Sequence, residues 1–173
     1  VSAFTAVQQL IEQGKILAGH DISSGGIITA LLEMTFPTEN TGLKVDVSKL
    51  QEADPIKALF SENPGVLIQV KNQEEVKELL DKEGVAYVEI AEVTEDKQVR
   101  LEGLDMTLNV EEYRDIWYKS SYLLDQKQSG KRLALDRFSN YKKQPLAFRF
   151  GANWEGTYDA FALDPFRKEA TGI

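Results

Sequence analysis

The fold of the chain follows from one stretch of sequence, Lys15-Ile16-Leu17-Ala18-Gly19-His20-Asp21-Ile22-Ser23-Ser24-Gly25-Gly26. This stretch continues through residues 27–36. Its apolar residues 16–18 predict a short buried strand, and the polar, glycine-rich residues after them predict a turn. Residues 27–34 repeat apolar side chains with a helical period, and Pro37 marks the end of that helix. Ser23 or Ser24 is the predicted N-cap, because a serine oxygen accepts hydrogen bonds from the free N–H groups of a first helical turn.

The predicted turn offers groups that suit a phosphate and a metal ion. Asp21 and Ser23 lie directly before the helix, and Gly25 and Gly26 supply backbone N–H groups there. At a helix N-terminus such groups point outward, and the helix dipole is positive. A carboxylate beside them can hold a Mg²⁺ that bridges to phosphate oxygens. The pattern is also typical of a capped helix entry without a ligand, and its glycine spacing matches neither the Rossmann nor the Walker A fingerprint.

The rest of the chain alternates predicted helices and strands. A helix opens the chain and ends near Gly14, and a strand at 43–47 follows the stretch quoted above. A short helix from Pro55, a strand at Val66–Val70 and a helix ending before Gly84 come next, with further strands behind them. This order predicts an α/β or α+β fold, with a mixed sheet and helices on its faces. The run Val66-Leu67-Ile68-Gln69-Val70 is the strongest strand pattern in the chain and is expected to be the central strand.

Two finer predictions concern the second half of the chain. A turn of hairpin length, Thr94-Glu95-Asp96-Lys97, lies between residues 85–93 and 98–101, so these strands are expected to pair as a hairpin. Asn109 with Glu112 forms a capping-box pattern that opens a long helix. One face of this helix is expected to pack on the sheet. The residues on that face are Tyr113, Ile116, Trp117, Ser120 and Leu124.

Composition excludes several classes of protein. The 173 residues are 42% hydrophobic and 28% charged, which is usual for a globular chain. The formal net charge of −8 argues against a nucleic-acid backbone or an anionic membrane as partner. No apolar run approaches the length of about 18 residues that a transmembrane helix needs. The chain has no cysteine, so it has neither disulfides nor a thiol nucleophile.

Two segments carry a resemblance to a known family. Ala18-Gly19-His20-Asp21-Ile22-Ser23-Ser24-Gly25-Gly26, running on into Ala30-Leu31-Leu32-Glu33-Met34-Thr35-Phe36, resembles phosphoribosylformylglycinamidine synthase. Asp115-Ile116-Trp117-Tyr118-Lys119-Ser120-Ser121-Tyr122-Leu123-Leu124-Asp125 is similar to a helix of the long, single-chain form of that enzyme. The resemblance covers roughly residues 1–145. The family motif is His-Asp-x-Ser-Asp/Ala-Gly-Gly, from which Ser24 is a mild departure.

The resemblance implies a fold and a domain organisation. The fold is that of the C-terminal domain of aminoimidazole-ribonucleotide synthetase, which is partly ferredoxin-like. Residues 1–110 would form this domain, 111–144 a helical extension, and 145–173 an aromatic-rich linker toward a missing glutaminase domain. The aromatic residues of that linker are Phe148, Phe150, Trp154, Tyr158, Phe161 and Phe166. Since the chain begins at Val1 and lacks a cysteine nucleophile, we expect it to be a piece of a longer protein.

The activity implied by the resemblance is a glutamine-dependent ligase of purine biosynthesis in the cytoplasm. In that family ATP phosphorylates the amide oxygen of formylglycinamide ribonucleotide, and ammonia from glutamine displaces the phosphate to leave an amidine. The chain would belong to the second of two synthetase-like halves. The nucleotide site of that half is an auxiliary one, which holds ADP and Mg²⁺ structurally.

The resemblance also assigns site residues. Asp21 is expected to be a Mg²⁺ ligand, and Ser23, Gly25 and Gly26 are expected to contact ATP or ADP. The remaining metal ligands should come from a neighbouring domain, so the chain would form one wall of the site and be inactive alone. His20 is expected to fix the turn through its ring. Glu33 is expected to serve solvation or an interdomain contact.

Two other interpretations stay open at this point. The domain could belong to another ATP-dependent enzyme of the superfamily: aminoimidazole ribonucleotide synthetase, selenophosphate synthetase, thiamine-monophosphate kinase or a hydrogenase maturation factor. The Trp117 helix and the tail after it argue against these relatives. The second interpretation is a packing domain that binds no ligand.

Overall fold

The structure, a computed structural model, describes residues 2–143 as alternating helices and strands. The helices are α1 (Ser2–Glu12), α2 (Gly26–Thr35), α3 (Pro55–Phe60), α4 (Gln73–Lys82), α5 (Val110–Ser129) and α6 (Lys131–Asn140). The strands are β1 (Ile16–Asp21), β2 (Gly42–Asp46), β3 (Val66–Val70), β4 (Ala91–Thr94), β5 (Gln98–Glu102) and β6 (Met106–Asn109). The predicted strand, turn and helix are confirmed as β1, its turn and α2. The predicted linker at 145–173 lies outside the described residues and stays a prediction.

The strands form two sheets. β1 and β3 pair antiparallel as a two-stranded sheet, in which Asp21 lies opposite Val66. The other four strands lie in the order β4-β2-β5-β6. In this sheet β2 runs antiparallel to β4 and parallel to β5, and β6 returns antiparallel to β5. The predicted α/β class, with a mixed sheet and helices around it, is confirmed.

Two apolar clusters hold these layers together. The larger cluster joins α2 to the four-stranded sheet, and its most deeply buried members are Val45, Val99 and Leu101. The smaller cluster joins α1 to α4 through Leu10 and Leu80. A fully buried Val or Leu side chain contributes about 1.5–3 kcal/mol relative to leaving it in water. These side chains therefore fix how the helices lie on the strands.

β3 lies between the two clusters, although it is not the central strand of a sheet. Successive side chains of a strand point to opposite faces. Accordingly, Leu67 packs on the larger cluster, whereas Ile68 and Val70 pack on the smaller one. The prediction of a central strand is wrong, because among the described residues β3 pairs with β1 alone. The apolar run reflects packing on both faces of the strand rather than a partner strand on both edges.

The predicted hairpin on either side of residues 94–97 is also wrong. Residues 85–90 form no strand, and β2 lies between β4 and β5. The connection from β4 to β5 crosses the start of β2 at Gly42, which is paired with Thr94. A Cβ added at Gly42 would lie 2.5 Å from the Gln98 carbonyl oxygen and 2.7 Å from Thr94 Oγ1. β2 can occupy this place because its first residue has no side chain.

α5 begins as predicted, but most of it does not pack on the sheet. Asn109 Oδ1 accepts a hydrogen bond from the Glu112 N–H at 3.1 Å and caps the helix. Val110 is the buried residue of α5, whereas Ile116 and Trp117 are 57% and 50% exposed. A helix of 20 residues is about 30 Å long, and strands of four or five residues span only ~13–17 Å. The predicted packing of the whole face is therefore wrong, since only the first turns can lie on the sheet.

The chain divides into two compact units, the first ending at Leu124 and the second beginning at Asp125. In the second unit the Asp125 carboxylate accepts hydrogen bonds from Arg137 Nε at 2.7 Å and Ser129 Oγ at 2.6 Å. These two donors hold the pKa of Asp125 below its usual range. The predicted domain limits at 110 and 144 stay predictions. Within residues 2–143, none of the helices has the length and apolar character needed to cross a membrane.

The crossing over Gly42 leads to a first prediction. Gly42→Ala should lower the free energy of unfolding by roughly 1–3 kcal/mol, because the new methyl group overlaps backbone that cannot move independently. Gly19→Ala in β1 is the matched control, since its Cβ would meet the Leu67 carbonyl oxygen at an ordinary 3.5 Å. Urea unfolding of both variants measures the difference. Equal stability of the two variants would contradict the crossing.

The turn at residues 94–97, which connects β4 to β5, should make the stability of the fold depend on pH. Arg100, then Thr94 and the Gln98 N–H, hold the pKa of Asp96 below its usual range. A carboxyl of this kind stabilises the fold above its unfolded pKa of about 3.9, and the contribution is lost as the pH falls through the lower folded pKa. Asp96→Asn should therefore lower the melting temperature at pH 7, and its difference from wild type should shrink below about pH 4.

Glu95→Gln, in the same turn, controls for the loss of one exposed negative charge. Thermal unfolding at pH values from 7 to 3 is the measurement. If the melting temperature of Asp96→Asn lies below that of wild type by the same amount over this whole range, the ion pair of Asp96 with Arg100 does not stabilise the fold.

Candidate functional site

The turn between β1 and α2 is clamped against the loop before β3. The Ile22 N–H donates to the Gly65 carbonyl oxygen at 2.8 Å, and the Gly25 N–H donates to Glu62 Oε1 at 2.9 Å. The turn is closed on itself by the Gly26 N–H, which donates to the Ser23 carbonyl oxygen at 3.0 Å. Two backbone–backbone hydrogen bonds and one from a backbone N–H to the Glu62 carboxylate therefore fix the main chain from the end of β1 to the start of α2.

The predicted serine cap of α2 is wrong. The N-cap is Gly25, which has a φ of 87° and makes no side-chain capping bond. Both glycines before the helix adopt the left-handed region, and this turns the chain so that Ser23 and Ser24 precede the capping position. A carboxylate from elsewhere, that of Glu62, accepts the Gly25 N–H instead. An acidic group is favourable there because the N-terminal end of the helix dipole is positive.

Gly26 is required by a close approach of two helices. A Cβ at Gly26 would lie 2.6 Å from the Leu59 carbonyl oxygen and 2.7 Å from the backbone of Phe60. Its φ of 72° is also one that other residues rarely adopt. The second glycine of the motif therefore has a structural reason, which is the packing of the α2 N-terminus on the end of α3.

Two of the four predicted ligand residues, Asp21 and Ser23, lie on the exposed side of this turn, whereas Gly25 is half-buried and Gly26 is buried. The side chain of Asp21 is 76% exposed, and Ser23 is exposed as well. Among the described residues, the Ser23 hydroxyl has no hydrogen-bond partner. Residues 2–143 contain no cluster of three or more acidic or histidine side chains that could hold a metal ion. The assignments of Asp21, Ser23, Gly25 and Gly26 to a metal and a nucleotide stay predictions.

His20 and Glu33 link the turn to α5. His20 Nδ1 lies 2.6 Å from the Asp21 carbonyl oxygen, and His20 Nε2 lies 3.1 Å from Glu33 Oε2. Glu33 Oε1 accepts a hydrogen bond from Trp117 Nε1 at 2.6 Å. The ring of His20 contacts its own turn, as predicted. The expected solvating or interdomain role of Glu33 stays a prediction; within the described residues its carboxylate contacts His20 and Trp117 of the same unit.

Sequence reasoning missed Glu62 and Trp117 as neighbours of the site. Glu62 is 37 residues from Gly25, and Trp117 is 84 residues from Glu33. No local pattern reports contacts at such separations. Trp117 was assigned to the correct helix, but its amphipathic spacing indicated core packing rather than a hydrogen bond to Glu33.

A shallow groove of about 190 Å³ opens beside the turn. It contains Ile22 of the turn, Ile27 of α2 and, across from them, the polar residues Lys57, Ser61 and Asn63. The groove lies in the first unit, and the residue of the turn that lines it is Ile22.

The sequence profile of the family described as AIR synthase related protein, C-terminal domain, matches residues 2–103. The match covers more than half of the chain, which therefore belongs to this family. This confirms the family relationship on which the predicted fold rests.

Several curated relatives are phosphoribosylformylglycinamidine synthases or a subunit of one. The human phosphoribosylformylglycinamidine synthase is 32% identical over 140 residues, covering 76% of this chain and 10% of its own length. The Aquifex aeolicus phosphoribosylformylglycinamidine synthase subunit PurL is 39% identical over 111 residues, covering 61% of this chain and 14% of its own. The Dictyostelium discoideum enzyme is 28% identical over 97% of this chain. The chain spans 10–14% of the length of these relatives.

Solved structures share the fold. The Thermotoga maritima PurL complexed with AMPPCP has a TM-score of 0.55 and 22% identity, over 64% of this chain and 21% of that one. The PurLQS structure from the same organism has a TM-score of 0.54, also at 22% identity, over 64% of this chain and 20% of that one. These likenesses confirm the predicted fold of an aminoimidazole-ribonucleotide-synthetase C-terminal domain.

The close approach at Gly26 leads to a third prediction. Gly26→Ala should lower the free energy of unfolding by about 2–5 kcal/mol, since a left-handed backbone costs ~1–2 kcal/mol and overlap with α3 adds roughly 1–3 kcal/mol. Gly84→Ala is the control, because Gly84 has a similar φ of 65° and open space around it. Chemical unfolding of both variants separates the cost of the left-handed backbone from the cost of the overlap with α3. If Gly84→Ala costs as much, the helix contact contributes nothing.

Proposed function

We propose that this chain is part of a phosphoribosylformylglycinamidine synthase, the ATP- and glutamine-dependent ligase that converts formylglycinamide ribonucleotide to formylglycinamidine ribonucleotide in purine biosynthesis. In this proposal the chain contributes one wall of a Mg²⁺-nucleotide site, the auxiliary ADP site of the second synthetase-like half. The enzyme works in the cytoplasm. Its other domains supply the glutaminase and the rest of the nucleotide site.

The observation that carries the proposal is the geometry of the β1–α2 turn. Asp21 ends a strand, and the exposed Ser23 follows it two residues later, directly before a helix. Clamping of the turn by the Ile22 and Gly25 N–H groups keeps these two side chains on the surface. The names of the curated relatives favour the synthase over the other ATP-dependent enzymes of the superfamily.

The site is open to solvent, which supports the proposal that this chain forms only one wall of the nucleotide site. Pockets that enclose a small ligand usually have volumes of roughly 300–1,000 Å³. The groove beside the turn has about 190 Å³, too little for a nucleotide, and the Asp21 side chain is largely in solvent. A second domain facing this surface would complete the cavity and supply further oxygen ligands to the metal.

The side chains of the turn have distinct roles in this proposal. The Asp21 carboxylate offers the hard oxygen ligand that Mg²⁺ prefers. The Ser23 hydroxyl, which has no partner among residues 2–143, donates to a phosphate oxygen. Asp21 would hold the Mg²⁺, which, when bound, would supply positive charge to offset that of the phosphates. Gly25 and Gly26 let the backbone come near the phosphates and give α2 its starting direction.

Replacing Asp21 in the full-length protein tests this function. Asp21→Asn removes the charge of the metal ligand but keeps its size. We expect the variant to lose tightly bound nucleotide and, with it, the stabilisation that a ligand gives to the state it binds. The nucleotide released by denaturation and the melting temperature are the measurements, with turnover recorded alongside.

Asp105→Asn is the matched control, because Asp105 is an exposed aspartate in the turn between β5 and β6. It should keep the nucleotide content and the melting temperature of wild type. Normal nucleotide content and normal stability in Asp21→Asn would reduce the turn to a helix entry without a ligand and would remove the proposed site.

A further inference from the structure

Glu33 is the polar residue that connects three elements around the turn. It lies in α2, where seven of the ten residues are buried, and its own side chain is 24% exposed. One carboxylate oxygen lies 3.1 Å from His20 Nε2 of β1, and the other accepts the Trp117 indole N–H of α5 at 2.6 Å. Each oxygen of one carboxylate therefore serves a different element.

The chain of contacts continues from Glu33 to the main chain of Asp21. The opposite ring nitrogen of His20, Nδ1, lies 2.6 Å from the Asp21 carbonyl oxygen. The His20 side chain is 28% exposed, so its ring is held mostly by protein. The Trp117 ring, in turn, packs against Phe36 at the end of α2, with ring centroids 5.6 Å apart. A continuous series of contacts thus connects the main chain of Asp21 to His20, then to Glu33 and finally to Trp117.

We propose that Glu33 is a positioning residue of the metal-binding turn: through His20 it fixes the main chain of Asp21, and through Trp117 it anchors this support to α5. The inference rests on the proposed function, because it takes Asp21 as the metal ligand. Glu33 itself contacts neither metal nor nucleotide.

The physical reason is that an exposed carboxylate needs a fixed backbone to bind a metal well. The Asp21 side chain is largely solvated, and Asp21 is the last residue of β1. Groups behind a metal ligand that hold its orientation typically change metal affinity by about 10–100-fold when they are replaced. Loss of the Glu33 support should therefore weaken the metal and leave metal-independent contacts of the nucleotide unchanged.

The test is a Mg²⁺ titration of the full-length protein after chelator treatment, at a fixed ADP concentration, with bound ADP measured by equilibrium dialysis. Binding that Asp21→Asn retains is subtracted, so that only the site of this turn is counted. Glu33→Gln should raise the half-saturating Mg²⁺ concentration by about 10-fold or more. Its affinity for ADP without metal should match that of wild type.

A second variant and a control distinguish the positioning role of Glu33 from a general defect in folding. Trp117→Phe keeps an aromatic ring against Phe36 but removes the N–H that Glu33 accepts, so it should shift the Mg²⁺ midpoint in the same direction by a smaller factor. Glu78→Gln removes an exposed carboxylate of α4 and should leave the midpoint unchanged. Adding Glu33→Gln to Asp21→Asn should cost no further metal-dependent binding.

The outcomes separate the two proposals. A midpoint within twofold of wild type in both Glu33→Gln and Trp117→Phe, while Asp21→Asn loses Mg²⁺-dependent binding, overturns the positioning role alone. A Glu33→Gln variant that weakens ADP equally with and without Mg²⁺ also overturns it, since that result indicates a general structural role. If Asp21→Asn binds ADP with the normal Mg²⁺ dependence, both the proposed function and this inference fail.

Discussion

The first residue of α2 lies so close to the end of α3 that a single methyl group would meet the Leu59 carbonyl oxygen at 2.6 Å. This approach sets where α2 begins and which way it points. The direction of α2 decides which of its side chains enter the larger core and places Glu33 toward His20. The same approach brings the loop before β3 next to the turn, where Glu62 and Gly65 accept its N–H groups. The geometry of the site is thus a consequence of helix packing.

The position of β1 and β3 between two apolar clusters explains why this turn can be exposed and still be rigid. Leu67 packs on the larger cluster, and Ile68 packs on the smaller one. A strand pair held from both faces resists movement, because shifting it would disturb close-packed side chains on either side. The end of β1 can therefore present Asp21 to solvent without covering structure of its own. A turn that forms one wall of the proposed site would need this kind of support.

Local sequence patterns predicted what local interactions determine. The strand at 16–18, the helix after Gly26 and the Asn109 cap follow from residues that are neighbours in the chain. The order of strands does not, because a connection of hairpin length can also cross the end of a third strand when that strand starts with Gly42. The position of most of α5 was mispredicted because amphipathic spacing does not report how far a sheet extends. Glu62 and Trp117 reach the site from 37 and 84 residues away, beyond any periodic signal.

The charge around the turn bears on how a nucleotide would be held there. Asp21 is exposed beside the turn, Glu62 already accepts the Gly25 N–H at the start of α2, and the whole chain carries a formal charge of −8. Bare phosphate would meet these carboxylates, and like charges at short range repel. In the proposed site, a divalent cation held by Asp21 would offset this repulsion, since it would be the largest local charge. The proposed site therefore favours a nucleotide that arrives as its metal complex, which makes the orientation of Asp21, and hence the support behind it, the feature on which binding depends.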